Sequence, residues 1–332
     1  MTIDENRIQQ IFDNMIGKRI AVIGDVMLDR YLWGNATRIS PESPVPVIAL
    51  EREEARIGGA ANVADNINVL GAKPLLIAVI GDDESGKRLL KRAKELDLDV
   101  SSVVIDSSRP TTEKTRIVAR NQHICRLDRE ITTEINEKAY EDVLGKFHEL
   151  LPTLDGVIIS DYGKGVISSR LVGEIVDNCC SHGLFVATDP KESHWEYYNG
   201  VNLIKPNNHE AERATGIETS SEKGLEKAGW KLLDKTGAGS AIITTGERGM
   251  SIFEHGRAVR HLPTMAREVY DVTGAGDTVI ATATTSIIAG ATLEEAAIIA
   301  NHAAGIVVAE VGTAVAKPEQ IFESMGVEKC KD

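Results

Sequence analysis

Asp277 directly follows Gly274-Ala275-Gly276 and opens a long run of helix-compatible sequence, "GAGDTVIATATTSIIAG". A Gly-Ala-Gly turn at a helix N-terminus leaves backbone N–H groups unpaired, and its glycines let an anion approach the backbone closely. A carboxylate one residue further on can cap the helix. It can also accept a proton from a hydroxyl while the amides hold a transferring phosphoryl group. The second role is phosphoryl transfer to an alcohol. The same tetrapeptide at Thr236–Gly239 serves as an internal control: Ser240 and the strand-like "AIITTG" follow it, so its glycines end a helix and offer no such amides. "GDDESGKR" (81–88) is a second decoy. Arg88 stands where a P-loop needs a hydroxyl, and Asp82, Asp83 and Glu84 oppose phosphate; an acidic strand-to-helix turn accounts for it better.

Such residues need elements to carry them. Apolar runs at 19–25, 74–82, 155–161, 184–189, 202–207 and 240–246 recur with helical segments between them, and their continuous apolarity marks strands covered on both faces. Several end in Asp, Asn or Gly, at the strand C-termini where open α/β sheets bind ligands. The expectation is an α/β fold, doubly wound, with a mostly parallel sheet flanked by helices in a single domain over 1–332. Two segments break the rhythm. Residues 30–56 carry three prolines and no helical period, and residues 111–130 alternate apolar and polar positions about a turn at Asn121-Gln122. They predict a small β excursion that serves as a lid over a ligand, as a dimer contact, or only as a surface hairpin.

Composition narrows the partners. An apolar fraction of 42% suffices for a core, and a net charge of −13 opposes nucleic acid and anionic membrane surfaces. The acidic, amphipathic start "MTIDENRIQQIFDNM" does not read as a signal peptide, and no apolar run is long enough to span a bilayer. Cys125, Cys179, Cys180 and Cys330 show no C-x-x-C pair or metal spacing and read as reduced thiols, so a cytoplasmic location is expected.

With these elements placed, "DVTGAGD" (271–277) resembles the C-terminal signature of the ribokinase-like, or PfkB, carbohydrate kinase family. "GGAANVADNINVLGA" (58–72) resembles its N-terminal signature and "KPNNHEAE" (205–212) its N-x-x-E motif; the three stand in family order, and the resemblance covers essentially the whole chain. Within the family, "ATRISPESPVPV" (36–47), "RNQHICRLDRE" (120–130), "SDYGKGV" (160–166), "DPK" (189–191) and "EVYDVTGAGDTV" (268–279) are similar to the kinase domain of the heptose 7-phosphate kinases of ADP-heptose synthesis, which supplies the lipopolysaccharide core. The resemblance implies phosphorylation of D-glycero-β-D-manno-heptose 7-phosphate at the anomeric C1 hydroxyl by ATP with Mg²⁺, giving the 1,7-bisphosphate. It leaves room for a monovalent cation beside the anion hole, and family analogy makes a homodimer plausible. A cytidylyl-type domain is often fused after such kinases. No H-x-G-H motif occurs here, so the expectation is a kinase without a cytidylyltransferase domain, and a separate nucleotidyltransferase acting downstream. Alternatives are a family kinase for ribose, fructose or 2-keto-3-deoxygluconate, and a non-catalytic sugar sensor. An NAD-linked oxidoreductase fits poorly, because "GDVMLD" lacks G-x-G-x-x-G.

Carried onto this chain, the resemblance implies Asp277 as general base and the amides of Gly274, Ala275 and Gly276 as the anion hole. Thr273 adds a hydroxyl to the phosphates or caps the helix. Asn207 and Glu210 act on Mg²⁺, through water, or cap the next helix. Asp29, Gly58, Gly59 and Asn62 form the sugar pocket, Asn62 alternatively capping a helix start. Lys191 meets a phosphate of ATP or of the substrate, or stays in solvent. Of Arg120, Arg126, Lys164 and Lys191, the first choices for the 7-phosphate are Arg120 and Lys164. Thr245, Gly246 and Asn301 fall on the adenine and ribose side. Asp161 lies at the ligand end of its strand, in a functional or a purely structural role.

Overall fold

Successive residues of the strand Arg19–Gly24 face opposite sides of one sheet, and both sides are buried: Ile20 and Val22 enter one core, Ala21 and Ile23 another. This two-sided burial is why the strand reads as an unbroken apolar run. The computed structural model describes residues 3–119, 122–266, 268–310, 312 and 314–327. Helices Glu5–Met15, Ala60–Val69, Ala275–Ile288 and Leu293–Val307 contribute Ile8, Ile67, Ile280 and Ile299 to the first core. Helices Glu137–Leu150, Ser169–Ser181 and Glu222–Thr236 contribute Phe147, Leu171 and Leu232 to the second.

The sheet runs in the order Arg260–Leu262, Met250–Glu254, Ser240–Thr244, Leu203–Ile204, Phe185–Asp189, Gly156–Ser160, Arg19–Gly24, Lys73–Ile80, Val103–Ile105. Every pairing is parallel except those made by Met250–Glu254. The expected α/β, mostly parallel, helix-flanked architecture is present. Three strands go beyond the sequence reading: Val103–Ile105, Met250–Glu254 and Arg260–Leu262, two of which are only three residues long. From Arg19–Gly24 the chain first builds the Lys73–Ile80 side and later the Gly156–Ser160 side. The strand ends at Gly24 and Ser160 therefore flank the point where the winding reverses, where open α/β sheets form ligand crevices.

A second sheet, ordered Pro46–Gly59, Val26–Ile39, Glu113–Ala119, Gln122–Arg129, is built from the two segments that broke the rhythm. It extends further inward than expected, starting one residue after Gly24, so Asp29, Gly58 and Gly59 belong to it. Arg120 and Asn121 lie outside the described residues. Both decoys behave as turns: Gly237, left-handed, ends the helix Glu222–Thr236, and Asp83 caps Glu84–Glu95 by accepting from the Gly86 amide. Among the described residues, no helix is long and apolar enough to cross a membrane.

Two helical glycines give opposite expectations. A Cβ at Gly229 would run into the ring of fully buried Phe253, whereas one at Gly145 would meet nothing. Helix propensity favours Ala over Gly by about 1 kcal/mol, but overpacking costs about 1–3 kcal/mol. Urea unfolding should show Gly145→Ala raising the midpoint and Gly229→Ala lowering it.

Candidate active site

The helix Ala275–Ile288 begins at Gly274, whose φ of 81° is one that L side chains rarely adopt. That kink turns the chain so that Gly276 and Asp277 form the first turn of the helix. Among the described residues, the Gly274, Gly276 and Asp277 amides have no protein acceptor, while the Ala275 amide donates to the Val272 carbonyl at 3.3 Å. The amide cluster is therefore shifted from the one read in sequence, with Asp277 supplying a donor that Ala275 spends on the turn. Thr273 is not the cap; its amide donates to Asp271 Oδ1 at 2.9 Å.

Asp277 is 3% exposed, and its carboxylate is not used as a helix cap. Asn62 Nδ2 donates to Oδ2 at 2.7 Å and the Tyr162 hydroxyl donates to Oδ1 at 2.6 Å. Burial pushes the Asp277 carboxyl above its ordinary value, against the pull of Asn62, Tyr162 and Lys205; Asp29 adds to the rise. A proton acceptor somewhat stronger than a free carboxylate results. Asn62 sits in the first turn of Ala60–Val69, where no side chain caps the helix, so the capping alternative for it fails.

Beside the turn at Gly274 lies an ion pair whose lysine is buried. Lys205 Nζ is 3.0 Å from Asp189 Oδ1, and a Cβ added at Gly276 would stand 2.9 Å from Lys205 Nζ. Glycine at this position thus brings the helix start against the ammonium. Burial works against the Lys205 charge, yet Asp189 and Glu210 hold its pKa above the ordinary lysine value. Burial raises Asp189 to about 6, Lys205 opposing the rise. A buried positive charge thus lies against a helix start with unpaired amides, an arrangement that can stabilise an anion.

On the smaller sheet, Asp29 is 4% exposed and paired with Arg116 across the strand pairing. Its Oδ2 fills the space that a side chain at Gly58 would need, and Gly59 lies against the Asp25 carbonyl in the same way. The turn after Gly156–Ser160 is held from below: Asp25 accepts from the amides of Tyr162 (3.0 Å), Lys164 (2.9 Å) and Val166 (3.1 Å). Lys164 Nζ pairs with Glu130 at 2.7 Å, and Arg126 pairs with Asp128. Lys191 lies over Gly163, and among the described residues its ammonium has no acidic partner. Asp161 has a structural part, accepting from the Gly163 amide (2.8 Å) and the Tyr198 hydroxyl (2.7 Å), with His194 Nδ1 at 2.7 Å. Arg120 lies outside the described residues.

Toward the antiparallel edge, Asn207 and Glu210 form a reciprocal capping box: Asn207 Oδ1 accepts from the Glu210 amide at 2.9 Å and Glu210 Oε2 from the Asn207 amide at 2.8 Å. Asn207 bridges to Thr244, next to Thr245 and Gly246. Thr245 Oγ1 donates to the Gly249 carbonyl at 2.9 Å, and Asn301 Nδ2 to the Pro263 carbonyl at 2.7 Å. Helix Leu293–Val307 is thereby tied to the chain just after the strand Arg260–Leu262.

A model of the pfkB family of carbohydrate kinases matches residues 18–320. The chain belongs to that family. It is 41% identical over 326 residues to the Bifunctional protein HldE of Geobacter sulfurreducens, covering 97% of this chain and 66% of that protein. It is 43% identical over 304 residues to the Bifunctional protein HldE of Helicobacter pylori strain J99, covering 92% of this chain and 65% of that one. The chain thus spans just under two thirds of the length of these relatives. In fold it is similar to Arabidopsis thaliana ribokinase complexed with ribose and ATP, with a TM-score of 0.74 and 17% identity over 94% of this chain and all of that one. It is likewise similar to Escherichia coli phosphofructokinase-2 in complex with potassium, with a TM-score of 0.75 and 16% identity over 94% of this chain and 98% of that one.

As a pfkB-family kinase, the chain places near Asp277 three residues that sequence reasoning did not assign to the site, Tyr162, Lys205 and Asp189, and pairs a fourth, Arg116, with Asp29. Lys205 and Asp189 stood inside quoted motifs, and only burial distinguishes them from solvent-facing charges. Lys205→Met removes the fixed charge and leaves Asp189 to neutralise by protonation. Steady-state kinetics should show kcat/KM for ATP falling by about 10²–10³-fold, the range for loss of one transition-state donor.

Proposed function

We propose that this chain transfers the γ-phosphoryl group of ATP to the anomeric C1 hydroxyl of D-glycero-β-D-manno-heptose 7-phosphate. The observation that carries the reaction type is the buried Asp277 carboxylate in a helix turn with unpaired amides, next to the buried ammonium of Lys205. Support for the sugar comes from the likeness to HldE proteins at 41–43% identity and from the segments shared with heptose 7-phosphate kinases. Asp277 takes the proton of the C1 hydroxyl as its oxygen bonds to phosphorus, and the bond to the ADP oxygen breaks. The Gly274, Gly276 and Asp277 amides, with Lys205, stabilise charge on the phosphoryl oxygens in flight.

Mg²⁺, when bound with ATP, neutralises phosphate charge. Asn207 and Glu210 suit its outer sphere: the capping box uses one Glu210 oxygen and leaves the other for a metal-bound water. Asp29, Gly58, Gly59 and Asn62 line the sugar side; Thr245, Gly246 and Asn301, with Thr273 near the phosphates, line the nucleotide side. For the 7-phosphate, Lys191 comes first, because Lys164 already pairs with Glu130; Arg120 completes the set. A homodimer in the cytoplasm, a separate nucleotidyltransferase downstream and a monovalent cation beside the anion hole belong to the same reading.

Asp277→Asn should lower kcat by about 10²–10⁴-fold, while calorimetry shows ATP affinity within about twofold of wild type. In a substrate panel, heptose 7-phosphate should be turned over fastest, with NMR placing the new phosphate on C1. Faster turnover of ribose, fructose or 2-keto-3-deoxygluconate would assign a different sugar.

A further inference from the structure

Tyr162 is half-buried just past the end of the strand Gly156–Ser160, and its hydroxyl donates to Asp277. Burial of the phenol, and the nearby Asp277 charge, raise its pKa above the ordinary tyrosine value, which keeps it the donor in this pair. Its backbone has little freedom. The Tyr162 amide is bound by Asp25, the Gly163 amide by Asp161 and the Lys164 amide again by Asp25, while Arg109 donates to the Lys164 carbonyl. The phenol is thus delivered from a turn whose amides are tied to two buried carboxylates.

We propose that Tyr162 is a positioning residue for the base, fixing the Asp277 carboxylate so that its remaining lone pairs keep a defined direction toward the acceptor hydroxyl. The proposal rests on the reading of Asp277 as base. Each carboxylate oxygen has two lone pairs, and one on each oxygen is taken: Oδ1 by Tyr162 at 2.6 Å, Oδ2 by Asn62 at 2.7 Å. The donors come from different elements, so rotating the carboxylate breaks at least one bond. The hydroxyl of the sugar must approach along a remaining direction. Loss of the Tyr162 donor frees the carboxylate to turn and also removes a bond that favours its charged form. The charged and titratable groups facing Asp277 are Lys205 from its strand end, Asp189 from the neighbouring strand, Asp29 from the smaller sheet and Tyr162 itself.

The test is Tyr162→Phe in the full chain, assayed beside Asp277→Asn and the double variant with ATP and the sugar phosphate that wild type turns over fastest. Phenylalanine keeps the ring and its packing. The expected result is a kcat about tenfold lower with KM for ATP unchanged, and an acid limb of the kcat–pH profile moved up by about half a unit to one unit. On the Asp277→Asn background the same change should alter kcat less than about twofold. 3-Fluorotyrosine placed at position 162, a stronger donor of nearly the same shape, should move the limb down. A lower melting temperature with an unmoved limb would reduce Tyr162 to packing and overturn the proposal, as would an equal loss on both backgrounds. Near-wild-type turnover by Asp277→Asn alone would remove the base reading first, and this proposal with it.

Discussion

Burying a carboxylate costs several kcal/mol unless hydrogen bonds or a counter-charge replace the lost water, and this fold buries a row of them at its strand ends. Each is satisfied differently. Asp25 is wrapped by three backbone amides, Asp161 by an amide, a phenol and an imidazole, Asp189 by Lys205, Asp29 by Arg116 and Asp277 by two neutral donors. The site is in large part the set of groups recruited to meet that cost. Asp277 has two neutral side-chain donors and neither a bonded cation nor a backbone amide, an environment that suits a proton acceptor.

The alternation of two-sided strands with helices made the main sheet legible from sequence, because the pattern follows from burial on both faces. The smaller sheet was legible as an interruption, though its inner ends were not: Val26–Asp29 continue an apolar strand with a single residue between the two sheets. Short strands such as Arg260–Leu262 carry too few residues for a period to show. Asp277 and the Gly-Ala-Gly turn were visible because a helix start and a carboxylate are adjacent in sequence. Tyr162 was not assigned, since nothing local tells a core aromatic from one that reaches a base contributed by another element.

Asn207 and Glu210 show how a structural motif and a ligand-binding one can coincide. The reciprocal capping box is a sufficient reason for both residue types at that spacing. Capping nevertheless fixes the Glu210 carboxylate beside Lys205, and their mutual attraction shows in the pKa of each. The alternative weighed in sequence, cap or metal residue, is not exclusive in three dimensions: a capped carboxylate is also a rigid one.

The Asn62–Asp277 hydrogen bond joins residues 215 positions apart. The central strand Arg19–Gly24 likewise waits for Gly156–Ser160 to lie beside it. Contacts of such sequence separation are late and slow to form, because the intervening chain must be closed before they return any free energy. During synthesis on the ribosome, the N-terminal portion can begin to pack its helices while the clamp on the base is still missing its central residue. A product truncated before the helix Ala275–Ile288 therefore holds Asn62 and Tyr162 without the carboxylate to which both donate.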